Sequence, residues 1–137
     1  MQLSNTAKYA IKILSYMAKQ EHDYLSKSKE LASTLDIPYK FLTKIMTALV
    51  KGDFIISVRG REGGFKLNAP ATSITILDIL NYLGELADFH TCILGKGLCN
   101  PKEKCMLHDE WANPRRMIKE MFASTSIDKI NSADFKL

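Results

Sequence analysis

Two short β-prone runs, residues 54–58 and 65–67, flank Arg59-Gly60-Arg61-Glu62-Gly63-Gly64. Three glycines in six residues cannot sustain a strand, because glycine loses more backbone freedom on ordering than any other residue. The pattern predicts a β-hairpin with a flexible, basic tip. Pro70 ends it, having no N–H with which to continue the pairing.

Three helices are expected before the hairpin. Residues 4–19 repeat apolar side chains at three- and four-residue steps: Leu3, Ala7, Ala10-Ile11, Leu14, Met17-Ala18. Ser4 or Asn5 can cap the start. Ser26 is expected to open a second helix running to about Leu35, and Asp36-Ile37 to make a tight turn. Pro38 then opens a third helix to about Lys51, with Phe41, Leu42, Ile45, Leu49 and Val50 facing inward. Gly52 follows it as a stop. Two short helices, a tight turn and a glycine-rich hairpin make a winged helix-turn-helix. The fold class is therefore mainly α with a small β-hairpin wing.

The second helix of such a pair fits a DNA major groove about 12 Å wide. Lys40, Thr43, Lys44 and position 47 share one face at helical spacing. Lysines can bond guanine or phosphate, and Thr43 offers a methyl or a hydroxyl to a base edge. In the wing, Arg59 and Arg61 flank Gly60, and an arginine can enter a narrow minor groove. Six basic residues stand against two acidic ones from Lys40 to Lys66. Residues 1–70 hold 11 Lys+Arg and 6 Asp+Glu, while residues 71–137 hold 8 and 9. A basic front half suits a polyanion partner, here double-stranded DNA. A helix-turn-helix used only for protein contacts is the bland alternative.

Composition bounds the rest. The 137 residues suit one domain, or one with a small appendage. With 46% hydrophobic and 25% charged residues, the chain is neither collagen-like nor acidic and disordered. No run approaches the ~20 apolar residues of a membrane span. Lys8 and Lys12 interrupt any signal-peptide core, so a cytoplasmic protein is expected.

Beyond Pro70, Thr75-Ile76-Leu77-Asp78 is a capping-box pattern opening a helix of about 75–83. Residues 90–104 contain Gly95, Gly97 and Pro101 and read as loop. From about Cys105 a long helix is expected, with Leu107, Trp111, Pro114, Ile118 and Phe122 as its stripe. Pro114 should kink or restart it. One weak turn is expected at 127–130.

All three cysteines fall at Cys92, Cys99 and Cys105, within fourteen residues. An odd, clustered set in a reducing compartment suggests a metal site or redox switch rather than a disulfide framework. With His108 the spacing is C-x6-C-x5-C-x2-H. Three thiolates and an imidazole suit an iron–sulfur cluster or zinc, and the absence of tight C-x2–4-C pairs favours a cluster. Gly95 and Gly97 let backbone N–H groups turn towards the sulfurs. A metal-free thiol switch and three reduced thiols in a small core remain open, and His90 is a spare candidate. Rival classes are a small iron–sulfur electron-transfer protein and a zinc-stabilised adaptor. Hydrolytic catalysis has no nucleophile–base pattern, phosphate loop or H-E-x-x-H motif to support it, and an enzyme is not expected.

Three motifs resemble the Rrf family of bacterial winged-helix regulators (IscR/NsrR-like). Leu3-Ser4-x-x-x-Lys8-Tyr9-Ala10 is similar to its opening helix. Ser57-Val58-Arg59-Gly60-x-x-Gly63-Gly64-Phe65 is similar to its wing. Gly95-Lys96-Gly97-x-Cys99 through Lys104-Cys105-x-x-His108-x-x-Trp111 is similar to its cluster segment. The resemblance implies a homodimeric transcription regulator, read here as a repressor, whose long C-terminal helix crosses its partner. It implies Cys92, Cys99 and Cys105 as thiolate ligands, His108 as the fourth, and Arg59 in the minor groove. Lys40, Thr43 and Lys44 fall at base-reading positions. The chain then divides into a DNA-binding domain (1–83), a cluster-binding loop (84–104) and a dimerisation helix with tail (105–137). Three differences qualify the match. IscR-like members have one residue fewer between the first two cysteines. They carry Glu-Gln where this chain has Thr43-Lys44, which implies a different operator. Some nitric-oxide-sensing relatives take a ligand from a first-helix carboxylate, but no Asp or Glu precedes Glu21 here. That favours His108 and a 2Fe–2S cluster.

Overall fold

The computed structural model describes residues 2–130. The expected tail beyond Ile130 lies outside the described residues. The elements run α1 (Asn5–Ala18), α2 (Ser28–Leu35), α3 (Tyr39–Lys51), β1 (Ile55–Val58), β2 (Gly64–Leu67), α4 (Ile76–Tyr82) and α5 (His108–Ser124). Among the described residues, no helix is long and apolar enough to cross a membrane.

Helix α1 is the hub. The Ser4 hydroxyl accepts from the Ala7 amide at 3.1 Å, satisfying one of the free N–H groups of a helix start. Ala7, Ala10, Ile11, Leu14 and Met17 are buried, as their spacing predicts. Ile13 and Ser15 are buried too, so the helix is covered on more than one side. The Ser15 hydroxyl donates to the Ile11 carbonyl, which lets a polar group sit there. Leu31 and Leu35 of α2 and Leu42, Ile45, Met46 and Leu49 of α3 complete that core.

Two expectations are corrected here. Ser26 does not open α2. Its N–H donates to the Phe65 carbonyl at 2.9 Å and its carbonyl accepts from Phe65 at 2.8 Å. Both backbone groups are thus spent on the wing, and the helix starts two residues later. Phe41 does not face inward: it is 55% exposed, and Val50 is only half-buried. Met46 fills the core instead, at 1% exposure. Position 41 lies at the edge of the apolar arc, where periodicity does not decide the side.

The hairpin pairs antiparallel with Ile55 opposite Leu67 and Val58 opposite Gly64. Helix α4 carries the expected capping box: Asp78 N–H donates to the Thr75 hydroxyl and Thr75 N–H to the Asp78 carboxylate. Tyr82 ties this helix to α3, donating to the Ala48 carbonyl at 2.8 Å and meeting Phe54 edge-on at 5.5 Å.

Helix α5 begins at His108, so Cys105 lies in the turn before it. The helix runs through Pro114 and continues to Ser124 rather than ending there. It forgoes one bond to the Glu110 carbonyl, which belongs to a solvent-exposed residue. Trp111, Ile118 and Phe122 are half-buried, and Phe122 meets Phe89 edge-on at 5.7 Å. No residue of α5 is fully buried.

After α5 the chain returns to the core built by α1 to α4. Ile76 N–H donates to the Thr125 carbonyl and Ile127 N–H to the Ile74 carbonyl, both at 2.9 Å. The expected turn is a 3-10 turn, Ile127–Lys129, and it seats Ile127 fully buried in the core. Lys19 donates to the Asp128 carbonyl and secures the same return. Ile127→Ala is therefore expected to destabilise the fold by about 2–5 kcal/mol, read as a shifted denaturant midpoint at constant slope.

Candidate nucleic-acid interface and thiolate cleft

Lys40, Lys44 and Thr47 form the solvent face of α3, with Thr43 half-buried between them. The two hydroxyls are tied to their own helix. Thr43 donates to the Lys40 carbonyl at 3.0 Å and Thr47 to the Thr43 carbonyl at 2.9 Å. That leaves Thr43 its methyl and lone pairs for a ligand. Arg59, Gly60 and Arg61 are exposed at the hairpin tip. Gly60 has φ +113°, a conformation that a side chain would strain. Lys27 Nζ donates to the Arg61 carbonyl at 3.1 Å and ties the tip to the residue before α2. Among the described residues, Lys40, Lys44, Arg59 and Arg61 make no ion pair. Their charge is available to a polyanion.

The second site lies where the 90–105 segment meets the start of α5. Glycines at 95 and 97 adopt φ +75° and +90°, turning the chain back on itself. Cys92 N–H donates to Gly97 O and Cys99 N–H to His90 O, both at 2.7 Å. The expected loop is thus a small, hydrogen-bonded hairpin-like turn. Cys92, Cys99, Cys105 and His108 all line one cleft of about 350 Å³. Lys96, Asn100, Glu103 and Lys104 complete its walls. His90 is exposed and does not line it. Lys104 Nζ lies 3.0 Å from Asp109, bracing the turn into α5 and holding that carboxyl below its ordinary range.

Cys92 is buried at the back of the cleft. Backbone N–H groups of Lys96 and Leu94 point at its sulfur and pull its thiol pKa down. The Cys105 thiol and the Lys96 ammonium act in the same direction. The Cys99 thiol instead lies 3.5 Å from the Thr91 carbonyl, to which it donates. All three thiols are free, and among the described residues no three donors are gathered tightly enough to hold a metal ion. The four groups share a cavity without converging on a point. The soft N/S donor set and the amides around Cys92 fit an iron–sulfur group, and Cys99 would have to leave Thr91 to complete it. Spacing named the four residues that share this cleft. Lys96 also carried a signal, a cation between two glycines, whereas the Thr91 contact carried none.

Residues 3–133 match the family described as Rrf2, iron-dependent transcriptional regulator. The chain belongs to the Rrf2 family. A candidate HTH-type transcriptional regulator of Aquifex aeolicus is 35% identical over 134 residues, spanning 96% of this chain and 92% of that one. The HTH-type transcriptional regulator IscR of Vibrio campbellii is 25% identical over 130 residues, covering 95% and 77% of the two chains. Among solved structures, CymR, the global cysteine regulator of B. subtilis, superposes with a TM-score of 0.75 at 21% identity. It covers 98% of this chain and 99% of its own. The mainly helical winged-helix fold with its two-stranded wing is therefore that of Rrf2 regulators. Transcription regulation is the activity that goes with this family.

Proposed function

We propose that this Rrf2 protein is a cytoplasmic, homodimeric DNA-binding repressor whose grip on its operator is set by a 2Fe–2S cluster. Cys92, Cys99, Cys105 and His108 would hold the cluster. The observation that carries this reading is the single cleft lined by all four groups, with backbone N–H groups lowering the Cys92 thiol pKa. When bound, the cluster would supply covalent bonds from the 90–99 turn to the start of α5. The protein's own part is to bring three thiols and an imidazole to one cleft, where the amides of Lys96 and Leu94 ease the loss of the Cys92 proton that ligation requires.

The DNA half rests on the unpaired cations of α3 and the wing. Dimerisation rests on α5, whose Met117 and Met121 are 64% and 52% exposed on a helix with no buried residue. A second copy would cover them and set two α3 helices in successive major grooves, about 34–36 Å apart. Cluster binding then matters only as far as the DNA-competent dimer binds it differently from the incompetent one.

Anaerobic purification followed by a visible spectrum and iron and sulfide assays tests the cofactor. Stoichiometric iron and sulfide support it, zinc without sulfide replaces it with a structural metal, and protein free of iron, sulfide and zinc defeats it. For the DNA contact, Lys44→Ala should weaken operator binding and lower the slope of log K against log salt by about one.

One feature favours a second reading, a cluster-free thiol switch: Cys92 and Cys105 line the same cleft, and the Cys105 thiol helps to lower the Cys92 thiol pKa. Likeness to a cysteine regulator fits it at the level of fold. Diamide would take two hydrogens from the pair, leaving one S–S bond. Peptide mapping that finds Cys92 joined to Cys105, with a change in DNA affinity, supports this reading.

A further inference from the structure

Phe41 lies in the first turn of α3, the part of a recognition helix that reaches base edges. Leu42, Ile45, Met46 and Leu49 already fill the core side of this helix. Phe41 stands outside that core, 55% exposed, one helical turn before Lys44 and at the border of the face that carries Lys40, Thr43 and Lys44. A large apolar ring exposed beside a cation is poorly placed for water but well placed for one feature of DNA. The major-groove edge of a base pair presents donors and acceptors, and its one apolar group is the thymine C5-methyl. Lys44, one turn on, brings phosphate or guanine to the border on which the ring stands, so charge selects the surface and the ring discriminates beside it.

We infer that Phe41 is a specificity-determining residue that reads a thymine methyl in each half-site. The inference rests on the DNA-binding reading above and adds to it a base identity and a residue. It assigns to an apolar contact what Thr43 and Lys44 would otherwise read by hydrogen bonds. Because a phenyl ring has no conventional hydrogen-bonding group, the contact should sense the methyl and not the hydrogen-bonding pattern of the A·T pair.

The test separates methyl from base. The full-length protein, purified anaerobically, selects duplexes from a random-sequence pool. Each thymine of the selected duplex is then replaced in turn by deoxyuridine, which deletes only the methyl. At one thymine per half-site, wild-type affinity should fall about fourfold, the effect of removing one methyl from an apolar contact. Phe41→Ala should bind the thymine and uracil duplexes equally, and Phe41→Leu should keep part of the difference. Unchanged thermal unfolding of both variants excludes a folding cause. An equal uracil penalty in wild type and Phe41→Ala overturns the inference, as does no penalty anywhere, and both leave DNA binding intact. If no duplex is enriched, the DNA-binding reading falls and takes this inference with it.

Discussion

Cys105→Ala is expected to give a colourless, iron-free protein under conditions in which the wild type carries a cluster. Cys105 sits at the centre of the proposed site. Its thiol lines the cleft with Cys92, and its carbonyl accepts the His108 N–H at 3.1 Å, fixing the turn from which α5 starts. Alanine removes the sulfur but keeps that backbone bond. The residue is only half-buried, so lost packing should cost about 1 kcal/mol or less. Loss of colour with the folded signal intact would therefore report ligation, not unfolding. Iron assay, sulfide assay and visible absorbance read the result, with circular dichroism as control. Retention of full cluster content would remove Cys105 from the ligand set. Wild-type regulation by a colourless variant would remove the cluster from the mechanism.

Gly63→Ala should dismantle the wing while sparing the helices. A Cβ at position 63 would lie 2.0 Å from the Val58 carbonyl oxygen and 2.9 Å from the Arg59 carbonyl carbon. Both are backbone atoms at the end of the hairpin, so no side-chain rotation relieves the clash. The neighbouring ladder joins Val58 to Gly64, and the Gly63 N–H closes the tip on the Gly60 carbonyl at 3.0 Å. Overpacking of this kind costs about 1–3 kcal/mol. Arg59 and Arg61 are displaced with the tip. Losing one contact worth about 1.4 kcal/mol lowers DNA affinity roughly tenfold, and two such losses roughly a hundredfold. Helical circular dichroism should stay near wild type, because α1, α3 and α4 build their core away from the tip. Unchanged operator binding would exclude the wing from the interface.

The parts of this protein governed by near neighbours were legible in its sequence. Glycine at 60, 63 and 64 marks the hairpin because backbone strain and close approach are properties of a few consecutive residues. The Thr75–Asp78 capping box and the Ser4 cap are likewise bonds across three positions. The apolar steps of α1 placed its buried face correctly, and the four residues that share the cleft could be named from spacing.

Distance in the chain hid the rest. Ser26 reads as a helix cap until Phe65, thirty-nine residues later, claims its backbone groups. Phe41 and Met46 flank the same apolar arc, and only the packing of α1 and α2 against α3 decides which enters. Ile127 looks like the end of a weak tail, yet it closes the core through a bond to Ile74. The cleft follows the same rule. Sequence supplied the sulfurs and the imidazole, but their common facing depends on where α5 begins and how the 90–99 turn folds onto it. Short-range sterics and hydrogen bonds fix the elements, whereas burial is a competition among elements that is settled only once they pack.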